Sequence, residues 1–280
     1  MNRANICCAA SFMMSIILRC YADTLSGTIV SDTLLAPGAH VVSGIVTVAP
    51  GVTLEFSPVS TVRFSTVSAG LIVAGTVRAA HTFFAGATDL QRWGQIYFMP
   101  GSTCVLASCH LDNGGSAQLP PLDTSNAVVY AESADVYVSN SIVTRPQGDC
   151  VAFRGGTITF VDNVVTSTAP GYGLYAGVAL YGDVQSPVRW RSQGNRLPGS
   201  VKPGIWFDGT FARQVDLMAG SDEVVHFGRV VLSNAELVVA PGTIMSANNT
   251  MPGSMTFDAG GVLTCQGTLE NPILWTNYYG

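Results

Sequence analysis

Lysine is almost absent: Lys202 is the only one in 280 residues. Charged residues of both signs make up 11% of the chain, against 48% hydrophobic. That balance excludes a disordered chain, which needs low hydrophobicity and high charge. Cation poverty also excludes a nucleic-acid partner, because such binding rests on neutralising phosphates. Sustained helical periodicity is missing after residue 22, and so is any apolar run long enough to span a bilayer. What remains is rich in Val, Thr and Ser and punctuated by 30 glycines and 14 prolines. Such a composition predicts all-β structure with frequent turns.

Residues 1–22 read as a secretory signal peptide. Arg3 supplies the positive start, residues 6–18 form an apolar run too short for a comfortable span, and Cys20-Tyr21-Ala22 ends it with small residues at the cleavage positions. Arg19 before Cys20 argues against a lipoprotein anchor. The expected location is therefore secreted, extracellular or cell-surface. Losing Arg3 and Arg19 takes the formal charge from −5 to −7. Cys104, Cys109, Cys150 and Cys265 stay in the mature chain. Their spacing is not that of a zinc site, and they permit three pairings or none.

Residues 23–280 are expected to form a single domain, and an internal repeat is its clearest feature. Residues 46–78 recur at 230–270: Leu54 and Pro58 answer to Leu237 and Pro241, and Gly75-Thr76 to Gly267-Thr268. The extra residues fall in a loop-like insertion at 248–253. Within each copy short apolar alternations such as Val46/Val48, Leu54/Phe56 and Val62/Phe64 are separated by Pro-Gly, Ser-Pro or Ala-Gly corners. No strand is followed by a crossover helix. Three short strands and three corners per turn predict a right-handed parallel β-helix, an all-β solenoid whose coils stack their inward side chains. Expected inward residues include Leu54, Val62, Phe64, Ile96, Phe98, Leu106, Cys109, Leu111, Phe153, Phe160 and Phe207. Asn113, Asn140, Asn163 and Asn195 fall near turns, where asparagine tolerates left-handed backbone and bonds locally.

The stretch Gly70-Leu71-Ile72-Val73-Ala74-Gly75-Thr76, followed by Trp93-Gly94-Gln95-Ile96-Tyr97-Phe98 and Gly101-Ser102 with Leu106 and Leu111, resembles the right-handed β-helix repeat proteins of bacteria, in the pectin-lyase-like structural group. The resemblance runs over nearly all of the mature chain. It implies the fold and leaves the activity open, since that group includes lyases, glycosidases, adhesins and passive surface proteins.

Catalytic constellations of that group are missing. There is no Asn-Thr-Asp, Asp-Asp pair, Gly-His-Gly or Arg-x-Lys of the polygalacturonase-like hydrolases. Lys202 has no dense acidic cluster around it of the kind a lyase calcium site needs. His40, His81, His110 and His226 are scattered without a metal-binding pair. Asp149 and Asp183, each after a glycine, are the one candidate carboxylate pair. Asp112-Asn113-Gly114-Gly115 reads as a turn before it reads as a calcium loop. One triplet, Thr157-Ile158-Thr159, has the form of an ice-binding rung, but neighbouring strands do not repeat it. No catalytic residue, metal or cofactor is therefore expected.

One outward surface is expected to bind carbohydrate. Alternation turns Val188 and Trp190 inward and Arg189 and Arg191 outward; it turns Ile205 and Phe207 inward and Trp206 and Asp208 outward. On adjacent rungs these would set an exposed indole beside two guanidinium groups and a carboxylate, a surface suited to a sugar or uronic acid. The expected function is a noncatalytic secreted or cell-surface β-helix that binds a polysaccharide or cell-surface glycan or mediates adhesion. The alternative is a polysaccharide lyase or glycoside hydrolase. Because the second repeat copy breaks off after Leu274, the end of the coil stack should be apolar, covered either by self-association or by a continuation of the chain.

Overall fold

The computed structural model describes residues 23–119, 126–166, 178–180, 186–197, 205–220, 224–247 and 253–277. Residues 1–22, Lys202, Asp183 and most of the insertion in the second repeat copy lie outside them. The described residues hold strands and no helix, and the strands pair in parallel. The chain is a right-handed parallel β-helix.

Its strands fall on flat faces, each a ladder of hydrogen-bonded rungs. Face I runs through residues 45–48, Gly70–Val73, Ile96–Phe98, residues 129–131 and 151–153, Val178–Leu180, residues 205–207 and 225–227, Ile244–Ala247 and Leu274–Asn277. Face II runs through Thr33–Leu35, Thr53–Phe56, Thr76–Ala80, Thr103–Ala107, residues 135–139 and 156–161, Val188–Gln193, Val215–Ala219, Glu236–Val239 and Val262–Cys265. Face III runs through residues 23–25 and 39–42, Thr61–Phe64, Phe83–Gly86, His110–Asp112, Ile142–Thr144 and Val164–Thr166, and ends at a single bridge from Val164 to Arg196.

Among the described residues no face III rung follows Arg196, and from Ile205 onward a fourth ladder runs between faces I and II. It is built from residues 209–211 and 229–233 and from Ser254–Asp258. The coil keeps three sides but exchanges one of them. The two repeat copies consequently match in strand type and not in position. Leu54 and Leu237 both lie on face II, whereas Thr61–Phe64 is on face III and its counterpart Ile244–Ala247 is on face I.

Alternation explains the core. Leu54, Val62, Phe64, Ile96, Phe98, Leu106, Cys109, Leu111, Phe153, Phe160 and Phe207 are all buried, inside one apolar cluster that runs the length of the stack. Pro-Gly corners set the bends from face I to face II at Ala49-Pro50-Gly51 and Met99-Pro100-Gly101: both glycines are left-handed (φ 73° and 80°), and the Val52 and Ser102 amides donate back to the Ala49 and Met99 carbonyls. Trp93 sits before its strand and not in it; its ring stacks on Phe64 at 4.2 Å and its indole N–H donates to the Asp112 carbonyl. Cys104, Cys109 and Cys150 are buried free thiols and Cys265 an exposed one.

The corner from face II to face III repeats most strictly. Val59, His81, Ser108, Asn140 and Asp162 all take left-handed backbone there, as does Gly194. The next residue in each, Ser60, Thr82, Cys109, Ser141, Asn163 and Asn195, forms a column of small side chains. Along it the Cys109 amide donates to Ser141 Oγ, the Ser141 amide to Asn163 Oδ1 and the Asn163 amide to Asn195 Oδ1, at 2.9–3.0 Å. Asn163 is fully buried and its amide nitrogen also donates to the Val138 carbonyl. Asn163→Ala leaves a buried amide and a buried carbonyl without partners and should cost about 2–3 kcal/mol in urea unfolding. A loss within experimental error would show the column to be ornamental.

The apolar stack continues to the last described coil. There Phe257 and Trp275 lie on Leu232 and Met245 and remain 49% and 48% exposed.

Candidate functional site

The four residues expected to share a surface are split in two. Val188–Gln193 pairs with residues 156–161 and with Val215–Ala219 on face II. Ile205–Phe211 pairs with Val178–Leu180 and with Val224–Ser233, so Trp206 stands on face I. Arg189 and Arg191 stay together and exposed, as alternation requires. Trp206 and Asp208 stay together, both against Gly228 of the next coil. The two pairs therefore stand on different ladders and not on neighbouring rungs of one face.

Trp206 does point away from the coil interior, yet it is only 5% exposed. It belongs to a second apolar cluster, on the outside of face I, with Tyr97, Ala127, Tyr130, Ala152 and Ala179. Tyr97 donates its hydroxyl to Glu132 at 2.9 Å. Asp208 is half-sequestered, and burial raises its carboxyl pKa against the opposing pull of the Arg229 and Gly209 amides. Face I is thus a covered face at these rungs, and its indole offers no open platform.

Face II is the open one. Its outward side chains form two straight rows. The first is Thr53, Thr76, Thr103, Asp135, Thr157, Arg189 and Asp216, each opposite the next. The second is Leu34, Glu55, Arg78, Val105, Tyr137, Thr159, Arg191 and Met218. Rungs of a sheet lie about 4.8 Å apart, so Tyr137 and Arg191 are about 10 Å apart along the row. Tyr137 is 41% exposed, an aromatic ring on a strip that mixes hydroxyl and charged side chains with Leu34, Val105 and Met218. A cavity of about 360 Å³, lined by Asp32, Thr33, Leu34, Thr53, Glu55 and Arg78, opens at one end of these rows. Another of about 200 Å³, lined by Asp216, Leu217, Met218, Val238, Ala240 and Gln266, opens at the other.

A second polar arrangement sits on face III. Arg145 Nε donates to Asp112 Oδ1 at 2.9 Å, its Nη2 to Asp112 Oδ2, and the same Nη2 to the Asp89 carbonyl at 2.8 Å. Thr144 donates to Asp112 Oδ1 at 2.6 Å, and His110 Nε2 lies 2.9 Å from the Thr144 hydroxyl. Burial opposes ionisation of Asp112, but the Arg145 and Thr144 hydrogen bonds outweigh it and hold the carboxyl below its ordinary range. Asp112 is therefore committed to Arg145, which makes the Asp112-Asn113-Gly114-Gly115 stretch a stapled turn. Asn113 is left-handed there (φ 63°) and accepts from Gln147. Sequence reasoning did not single out Arg145 or Thr144; the partner of Asp112 lies 33 residues away, a pairing set by coil length.

Compared with family models, curated proteins and solved structures, the chain matches none.

Proposed function

We propose that this chain is a secreted or cell-surface, noncatalytic β-helix protein that binds a polysaccharide lengthwise along face II. The carrying observation is the pair of straight outward rows on that face. Threonine hydroxyls both donate and accept, Arg78, Arg189 and Arg191 present planar donor forks to hydroxyls or carboxylates, and Tyr137 offers a ring face for stacking. The rows repeat at the rung spacing of about 4.8 Å, close to the length of one pyranose unit. In this reading the strip binds a polymer along its length and does not cut it.

The test is a glycan array with the mature protein, followed by titration of the best ligand. Tyr137→Ala and Arg191→Ala replace outward side chains and should leave the far-ultraviolet spectrum unchanged. Combined, they should weaken affinity at least about tenfold, or about 1.4 kcal/mol. Undiminished binding by the folded double variant would remove face II from consideration. A second reading, a lyase or glycoside hydrolase, is favoured by one observation: the Asp112–Thr144–His110 chain of hydrogen bonds ends in an imidazole. Release of reducing ends or of an unsaturated, ultraviolet-absorbing product from any array ligand would establish it in place of the first.

A further inference from the structure

The hydrogen bonds around His110 determine which of its nitrogens carries the proton. Asp112 is ionised and can only accept. The Thr144 hydroxyl has a single proton, and at 2.6 Å from Asp112 Oδ1 that proton must lie between the two oxygens. Thr144 then has only lone pairs left for His110, so Nε2, 2.9 Å away, is the donor. In a neutral imidazole the other nitrogen, Nδ1, is left unprotonated.

Neutrality follows from the surroundings. Burial lowers the His110 pKa, Asp112 pulls it back up, and Arg145 pushes it down, with a net lowering. The charged groups around it come from each neighbouring segment: Arg63 from Thr61–Phe64, Asp89 from the loop beyond Phe83–Gly86, Asp112 from its own strand, and Arg145 after Ile142–Thr144.

Around the imidazole the outer surface of face III is apolar along one row and cationic at its edge. His110 stands opposite Phe83 on one side and Ile142 on the other. The Phe83 ring centroid lies 4.9 Å from that of His110, and Ile142 is 44% exposed. The Arg63 guanidinium lies over Phe83, 5.2 Å from the ring centroid. A hydrogen-bond acceptor of fixed orientation, set between apolar side chains with a cation close by, has the polarity pattern of a sugar-ring subsite: apolar C–H surface against Ile142 and Phe83, hydroxyl to nitrogen.

We propose that face III carries a second ligand site, separate from the face II rows, in which His110 Nδ1 accepts a hydrogen bond from a hydroxyl of a pyranose ring. It takes the class of ligand from the polysaccharide reading and nothing else. Asp112 and Thr144 are positioning residues: they orient the imidazole and set its tautomer. Protonation of Nδ1 removes the acceptor, so this site releases its ligand as pH falls below the ordinary histidine range of about 6.5.

The test uses the mature protein labelled with ¹⁵N on histidine, with cellohexaose and tetragalacturonate as probes. Long-range ¹H–¹⁵N spectra at neutral pH should show His110 protonated on Nε2 alone, and one probe should shift the Nδ1 resonance. The shift should disappear as the pH falls below the ordinary histidine range of about 6.5. His110→Gln should bind that probe without this pH dependence, and Thr144→Val should scramble the tautomer. The Tyr137→Ala/Arg191→Ala variant, with face II removed, should retain the His110 response in full; this separates failure of the site from failure of the face II reading. A proton on Nδ1 at neutral pH, or no Nδ1 shift with either probe at millimolar concentration, overturns the proposal.

Discussion

Replacing Trp190 with alanine should lower the unfolding free energy by about 3–5 kcal/mol, read from the urea midpoint of the far-ultraviolet signal. Trp190 is 1% exposed, sits on face II between Ile158 and Leu217 of the neighbouring rungs, and meets Phe153 edge-on at 5.1 Å. Its removal opens a cavity that coils above and below cannot close, because their own backbones are fixed in the ladders. Trp190→Phe should cost much less, about 1–2 kcal/mol. Among the described residues the indole nitrogen has no hydrogen-bond partner, so the smaller ring discards a buried donor that was already unsatisfied. Equal losses in the two variants would mean that volume counts for nothing at this rung, and the close-packed core described above would be wrong.

Gly156→Ala is expected to be comparably damaging, at least about 3 kcal/mol, by a different route. Gly156 turns the chain from face I to face II with φ 94°. A Cβ there would stand 2.1 Å from the Ala134 carbonyl oxygen and 2.6 Å from its nitrogen. Neither can yield, because Gly156 is opposite Ala134 on one side and Val188 on the other, and its amide donates to the Pro187 carbonyl. The adjacent Gly155 is the control. It is also left-handed (φ 79°), but its added Cβ would meet chiefly the Ser186 hydroxyl, 1.9 Å away, and a serine side chain can rotate. Gly155→Ala should therefore cost only about 1–2 kcal/mol, the left-handed backbone penalty. If the two alanine variants unfold at the same denaturant concentration, backbone contact between coils is not what fixes this corner.

How far the sequence reaches is clearest at Val188–Gln193 and Ile205–Phe211. Alternation placed Trp190 inward and both arginines outward, and it turned Trp206 away from the coil axis; each direction is right. Direction is a property of two neighbouring peptide units, so a local pattern carries it. Whether Arg189 and Trp206 meet depends on which ladder each strand joins, and that depends on the lengths of the corners and loops between them. Whether an outward ring is open depends on what lies across it: Trp206 is buried in a cluster whose members come from as far back as Tyr97.

The sequence by itself determined the strand class, the inward residues, the turn chemistry and the solenoid, because all of these follow from a period of two and from residues that bend the backbone. Tertiary structure decided the rest: the exchange of face III for a fourth ladder after Arg196, the column of corner side chains 22 or 32 residues apart, the Asp112–Arg145 staple and the open rows of face II. These are contacts between coils. Their partners are separated by a coil length that insertions keep changing, so no fixed spacing in the chain announces them, and only closure of each turn onto the one before it brings them into register.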